Sequence, residues 1–457
     1  MSVTSTIPQI PTPPLNPTPP GPTRQWLADF ARSPHANPFE FLLTLAREFG
    51  DTVHYTTPYG SVYFFNHPEE IRQVLHRTNI VRAPLVSLTL GQGLLASDGD
   101  YWRKQRRIMQ PDFHEGCLIG FGPLIVEAVQ RMVDGWNLNV GESRPLDMAH
   151  EMKILTLDIV VRAMFSSDFS AYAEDICDAI AVMIEDLGHI SATLLNTPMT
   201  ISPQRNARFK QSLATVDDVV YELINQRRAD PNPPRDLLTT LLNSRDAETG
   251  EPLTDKQLRD EVVTILIAGH ETTAISLAWA WHLLAQSPES LQLLNAEADE
   301  VLGSRWPSIA DLPRLTYAEM VFNEAMRLYP PVWVMVRRAL EADEIAGYPI
   351  PAGAFIIVSP YTTHRHPDLW PDSERFDPSR FAPNDGPKRP LYAHFPFAGG
   401  RHLCLGQRFA IIEAQLILGA LAARFDFRPI AEPPVVAQPV LTLRQQFGVP
   451  MEVHRRR

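Results

Sequence analysis

The stretch that decides the fold is Phe395-Pro396-Phe397-Ala398-Gly399-Gly400-Arg401-His402-Leu403-Cys404-Leu405-Gly406. A glycine-rich loop runs to a single cysteine. A helical apolar pattern follows at once, through Phe409, Ile412, Leu416 and Leu421. Cys404 is thereby placed at a helix N-terminus, where the helix dipole and free backbone N–H groups favour a thiolate. The glycines would let the backbone approach a flat, bulky partner closely. A single cysteine most often serves as a small buried apolar residue, and the loop argues against that role. Two chemistries remain. One is a nucleophilic cysteine, for which no Cys–His–Asn pattern is evident. The other is a thiolate ligand to a haem iron.

Upstream lies a long helix. Thr254-Asp255-Lys256-Gln257 fits a capping box that opens it, and Ser287-Pro288 stops it. About 32 residues give a length of about 48 Å. Its middle, Val262 to Trp281, is apolar on nearly every side, which places it in the centre of a large fold. It carries Ala268-Gly269-His270-Glu271-Thr272-Thr273. Four consecutive polar residues cover most of the helix circumference, so some must face the interior. A carboxylate and hydroxyls there cost several kcal/mol unless partnered. Gly269 is a further penalty of about 1 kcal/mol relative to alanine. The run is either a functional site or a kink whose threonine hydroxyls bond back to carbonyls. A second helix, read as opened by the capping box Thr316-Tyr317-Ala318-Glu319 and ended by Pro330-Pro331, holds Glu324-Ala325-Met326-Arg327. Glu324 and Arg327 share a face and can pair, although most such pairs are solvated and worth little.

Together these residues resemble a cytochrome P450, a haem-thiolate monooxygenase. Phe397–Gly406 matches the family pattern F-x-x-G-x-[R/H]-x-C-x-G, with His402 where arginine is commoner. Ala268-Gly269-x-Glu271-Thr272 is similar to the oxygen-activation motif, and Glu324-x-x-Arg327 to the E-x-x-R pair. Phe376-x-Pro378-x-Arg380-Phe381 is similar to the segment that completes a Glu–Arg–Arg cluster, and Trp102-x-x-x-Arg106 to the family's W-x-x-x-R. The motifs stand in family order over residues 24–457. The resemblance implies a mainly α fold with small β-sheets. Haem b would lie between the long central helix and the helix after the cysteine loop. Cys404 would be the axial iron ligand. Trp102, Arg106, Arg337 and His402 would bind the propionates, and Phe397, Gly406 and Ala268 would lie against the macrocycle. Glu271 and Thr272 would deliver protons to dioxygen. Glu324, Arg327 and Arg380 would fix the scaffold. The pocket would be lined by residues 82–95 and 183–200, by Ala268 and Thr272, and by Val332 to Val336, with Gln446-Phe447-Gly448 nearby.

Composition agrees with an enzyme of this kind. The chain has 457 residues, 44 % apolar and 21 % charged, near globular averages. Three cysteines without a CxxC pair exclude a disulfide scaffold or a cysteine-rich zinc site, and suggest a reducing compartment. A net charge of −12 makes a nucleic-acid binder a poor candidate. Residues 1–23 hold eight prolines, with neither a basic nor an apolar signal region. They read as an extended, mobile segment. No run of 18 apolar residues occurs, so no membrane anchor is expected. The expected protein is a cytoplasmic, bacterial-type monomer with one catalytic domain over 24–457.

Helical period is read from Trp26 to Phe49, with Asn37-Pro38 opening a turn of helix and Gly50 closing it, from His67-Pro68-Glu69-Glu70 onward, and almost continuously from 100 to 330. A hairpin is read at 52–65, turning at Pro58-Tyr59-Gly60, and short strands at 344–358 and 439–454. No dinucleotide fingerprint or cysteine cluster is present. Electrons from NAD(P)H would therefore come through a separate ferredoxin or flavodoxin and its reductase. Arg103, Lys104, Arg106 and Arg107, with Arg401 and Arg408 flanking the cysteine, form a candidate docking patch. The substrate would be an apolar small molecule such as a fatty acid, terpenoid, steroid or macrolide. A peroxygenase or isomerase, and a non-catalytic haem sensor, are the alternatives. Glu271-Thr272 argues against the first, and the lack of a visible output domain against the second.

Overall fold

The computed structural model describes residues 18–33, 37–83, 87–194, 203–246, 249–383 and 388–456. The central helix, Asp255–Gln286, starts at the expected box. Thr254 accepts from the Gln257 backbone, and the Gln257 side chain accepts from Thr254. From Leu258 to Trp281 every residue is buried except Ala268, Gly269 and Thr272. Those three retain accessible surface in the middle of the molecule, and Ala268 and Thr272, four residues apart on one face, line an internal hollow. Around this axis pack the helices Met148–Phe165, Pro203–Ala229, Thr316–Leu328 and Gln407–Ala422. The closest approach is to Met148–Phe165. A Cβ on Gly269 would stand 2.8 Å from Val160 Cγ2, so glycine here serves helix packing. Two stretches, Glu115–Trp136 and Asp255–Gln286, have the length and hydropathy of membrane spans. The second is 83 % buried inside the protein.

The β part joins both ends of the chain. A five-stranded sheet runs Thr52–Thr57, Gly60–Phe65, Phe355–Val358, Met335–Ala339, Ile80–Arg82. Only the Gly60–Phe65 and Phe355–Val358 pair is parallel. The hairpin turns at Pro58-Tyr59, with Thr57 opposite Gly60. Asn37 and His67 cap the helices Pro38–Phe49 and Pro68–His76, each opened by its proline. Pro20 of the proline-rich segment accepts from the His54 backbone, and Pro19 and Pro22 are buried. The segment's residues 18–23 therefore cover the sheet edge. Residues 1–17 lie outside those described, as do 84–86 and 195–200 of the expected pocket lining.

Two expectations need correction. Ser143–Asp147, inside the stretch read as helical, is a strand paired with Pro450–Arg455. Its partner lies some three hundred residues away, and no local period reports such pairing. The stretch from Trp26 to Phe49 holds the helices Arg24–Arg32 and Pro38–Phe49, the second opening at Asn37-Pro38 and closing at Gly50 as read. Thr316 does not cap its helix. Leu315 occupies the cap position, and Glu297 of the preceding helix bonds the Tyr317 and Ala318 amides at 2.6 and 3.0 Å. A carboxylate from a neighbour has replaced the local cap.

Candidate active site

The cysteine helix begins at Gln407 with Gly406 as its cap, so Cys404 lies just ahead of it. The Gly406 and Gln407 amides and the Arg106 guanidinium lower the Cys404 thiol. Burial outweighs them and leaves it above its ordinary value. A coordinated metal would deprotonate such a thiol outright. Cys404 nevertheless keeps accessible surface. A residue that is both deeply surrounded and accessible lines an internal space. The Cys404 amide donates to the Phe397 carbonyl at 3.0 Å, and the Gly400 amide to the Tyr392 hydroxyl at 3.0 Å. Tyr392 in turn meets His76 Nε2 at 2.7 Å. The glycines are explained differently from expectation. Gly400 has φ +60°, and a Cβ there would meet the Leu75 carbonyl at 2.2 Å. A Cβ on Gly399 would strike the Tyr392 ring. Both serve contacts within the protein, whereas Gly406 faces open space.

Beside the loop lies a nest of positive charge. Trp102 and Arg106 come from the helix Gly99–Met109, Arg337 from a sheet strand, and Arg401 and His402 from the loop. Arg106 donates to the Leu403 carbonyl at 2.8 Å. The Trp102 and His402 rings stand 4.4 Å apart. The sequence reading missed one member. Arg82 ends the three-residue strand Ile80–Arg82, pairs with Arg337 across the sheet, and has a buried Nε that makes no hydrogen bond. Asp98 is the carboxylate among them, 3.0 Å from Arg401, 3.3 Å from His402 and 4.0 Å from Arg82. Burial, and for Arg82 also the neighbouring Arg337, lowers Arg82 to about 9 and Arg337 to about 10. Burial likewise lowers His402 to about 4. Four guanidiniums and an imidazole around one carboxylate are costly in a buried site. A doubly anionic group would relieve that cost, and the two propionates of a haem beside Cys404 fit it.

The four polar residues of the central helix point in four directions. His270 reaches Cys177 at 3.6 Å and is lowered to about 4 by burial. Glu271 accepts from Arg444 Nε at 2.6 Å and from Thr442 at 3.3 Å. Burial pushes the Glu271 carboxyl up, but Arg444 and other nearby positive groups prevail and hold it below the ordinary value. Thr272 faces the hollow, its hydroxyl donating to the Ala268 carbonyl at 2.8 Å. Thr273 faces Glu413 of the cysteine helix, a carboxyl raised well above its ordinary value by complete burial. Arg444 was missed too, because nothing in the sequence links it to a helix 173 residues earlier. Its short hairpin is fastened to the central helix by Trp279 to the Leu443 carbonyl and by Gln445 to the Ile275 carbonyl.

The Glu324–Arg327 pair lies behind the site. Both side chains are completely buried and meet through two bonds of 2.6 and 2.7 Å. Arg380 Nε lies 3.5 Å from Glu324. The patch read as a docking face is smaller than expected, because Arg401 turns inward to Asp98. Arg103, Arg107 and Arg408 are exposed, and Lys104 is partly so. A groove of about 400 Å³ runs past Trp102, Arg103, Arg106, Arg107, Gln110 and His114.

Comparison with known proteins bears on the whole chain. The family model "Cytochrome P450" matches residues 15–449. Cyclooctatin synthase of Streptomyces melanosporofaciens is 34 % identical over 413 residues, 89 % of each chain. Cyclooctat-9-en-7-ol 5-monooxygenase of the same organism is 33 % identical over 398 residues, 86 % of each chain. Human cytochrome P450 4F2 is 32 % identical over 426 residues, 85 % of this chain and 80 % of the relative. With a cysteine loop, a cationic nest and an internal hollow built from residues in family order, this chain belongs to the cytochrome P450 family of haem-thiolate monooxygenases.

Proposed function

We propose that the protein holds haem b through Cys404 and inserts one atom of O2 into an apolar small molecule held over Ala268 and Thr272. The observation that carries this reading is the pairing of Cys404, aimed into an internal space, with the cation nest beside it. Arg82, Arg106, Arg337 and His402 would neutralise the propionates, and Trp102 would donate to one. The haem, when bound, supplies the oxygen chemistry. The chain's part is to hold the thiolate against two amides, exclude bulk water along the central helix and pass protons. Thr272 offers a hydroxyl at the hollow, and Glu271 a carboxylate one residue away, held by Arg444. The names of the first two relatives favour a cyclic, largely hydrocarbon skeleton, a terpenoid or steroid, over the fatty-acid and macrolide alternatives. The test is turnover of cyclic terpene alcohols with NAD(P)H, O2 and a surrogate ferredoxin and reductase, after a spectral binding screen. Product dependent on O2 and reductant supports the reading. Product formed with peroxide but none with O2 and reductant refutes it.

Thr272→Ala is expected to retain haem and substrate, because neither needs the hydroxyl. Ordered proton delivery would fail, and most reductant would be diverted to peroxide. Product formed per NAD(P)H consumed measures this. An unchanged ratio would remove Thr272 from proton delivery.

Electrons are proposed to enter at the face of Arg103, Lys104, Arg107 and Arg408, beside the cysteine helix. A basic patch on an acidic protein suits an acidic ferredoxin or flavodoxin, with steering that weakens as salt rises. Arg103 pairs with Asp100 and Lys104 with Asp246 near the surface, and such pairs contribute little stability. Arg103→Glu and Lys104→Glu should therefore fold normally and be reduced several-fold more slowly at low salt, with substrate binding intact. Stopped-flow reduction rates that ignore both charge and salt would place the donor elsewhere.

A further inference from the structure

Two histidines that the mechanism does not use, His364 and the partly buried His394, stand between the Glu324–Arg327 pair and the cysteine loop. His364 is completely buried. Its carbonyl accepts from Arg327 Nη1 at 3.0 Å. Its ring Nε2 accepts from the Phe395 amide at 2.9 Å. Backbone and side chain of one residue thus tie the ion pair to the first residue of the loop. His394 lies alongside, with ring centroids 4.9 Å apart. The titratable groups facing His364 are His394, Arg327 and Arg365, all basic; the Arg327 backbone favours a protonated ring, and burial with the basic neighbours outweighs it. Burial and these neighbours hold the ring neutral. Neutrality is what the geometry requires, because a protonated imidazole has no acceptor nitrogen. The proton therefore belongs on Nδ1.

From Phe395 the loop is fixed by successive backbone bonds. The Ala398 amide donates to the Phe395 carbonyl at 3.0 Å, and the Cys404 amide to the Phe397 carbonyl at 3.0 Å. Tyr392 holds the far side of the glycine turn, and Arg106 holds Leu403. His364 is the side-chain anchor at the entry, and an error there is carried to the sulfur through only two further bonds.

We propose that His364 is a positioning residue for the thiolate: its neutral imidazole pins the Phe395 amide and so sets where Cys404 Sγ meets the iron. The proposal rests on Cys404 being that ligand. Deleting the acceptor leaves the Phe395 N–H buried and unpaired, which favours a displaced loop. The spectrum of the reduced carbon-monoxide adduct reads the sulfur directly, apart from activity.

The experiment compares His364→Gln, whose Oε1 can reach the same amide, with His364→Phe, which fills the space without an acceptor. Phe41→Leu, in the separate core beside the N-terminal sheet, controls for lost stability. In holoprotein purified at equal haem content, His364→Phe should shift most of the carbon-monoxide band from the thiolate position to shorter wavelength. His364→Gln should keep most of it, and Phe41→Leu all of it. A wild-type thiolate band with His364→Phe unchanged would overturn the positioning role and leave Cys404 as ligand. A wild-type protein without that band would instead overturn the assignment of Cys404. If His364→Phe yields no holoprotein, His364→Gln decides: loss of its thiolate band refutes the acceptor role.

Discussion

Replacing Glu324 by alanine is expected to leave little folded haem protein. Glu324 is inaccessible, and so is Arg327, to which it gives both oxygens. Its Oε1 also accepts from the Asp377 amide at 2.9 Å. Burial raises the Glu324 carboxyl despite Arg327 and Arg380, which shows how much desolvation the pair bears. The pair is therefore weak evidence of net stabilisation, but breaking it is another matter. Alanine would strand the Arg327 charge, and removing one partner of a buried pair costs about 3–5 kcal/mol. A typical domain has only about 5–15 kcal/mol in total. Arg327 also donates to the His364, Ser373 and Arg375 carbonyls. Its displacement would loosen the segment that leads to the cysteine loop. Holoprotein yield and the denaturant midpoint measure the loss. Glu324→Gln, which keeps one acceptor, should fall between wild type and alanine. Normal yield with full haem for Glu324→Ala would show that this pair does not support the loop.

How much could be read in the sequence follows from how local each signal is. The central helix was legible because its cap and its apolar girth lie within one window. The cysteine loop was legible because its spacing is fixed over ten residues. What was missed depends on distant partners. Arg82 is a lone arginine in a three-residue strand, and only sheet pairing with Arg337 brings it to the nest. Arg444 reaches Glu271 because its hairpin is fastened to the central helix by backbone acceptors, which carry no sequence signature. Gly269 was read as a functional penalty, yet Val160 accounts for it by contact. Arg401 was read as an outward charge from its neighbours in sequence. Asp98, three hundred residues earlier, turns it inward.

Cys404→Ala is expected to abolish monooxygenase turnover and to remove the thiolate signature from the reduced carbon-monoxide spectrum. The sulfur is the proposed ligand, and the Gly406 and Gln407 amides and Arg106 are placed to favour its thiolate. Alanine removes it while leaving those groups in place. Haem could then be held only by its propionates and apolar faces, so the variant should either lose haem during purification or show a band at shorter wavelength. The other two cysteines supply the control. Cys117 is exposed on a short helix remote in sequence from the loop. Cys177 is buried beside His270 on another side of the central helix, where burial pushes its thiol up to about 12. A thiol so hard to ionise is a poor ligand. Cys117→Ala and Cys177→Ala should therefore keep the wild-type spectrum. A Cys404→Ala protein that kept the thiolate band, with loss of the band in either of the other two variants, would move the ligand and with it the whole assignment of the site.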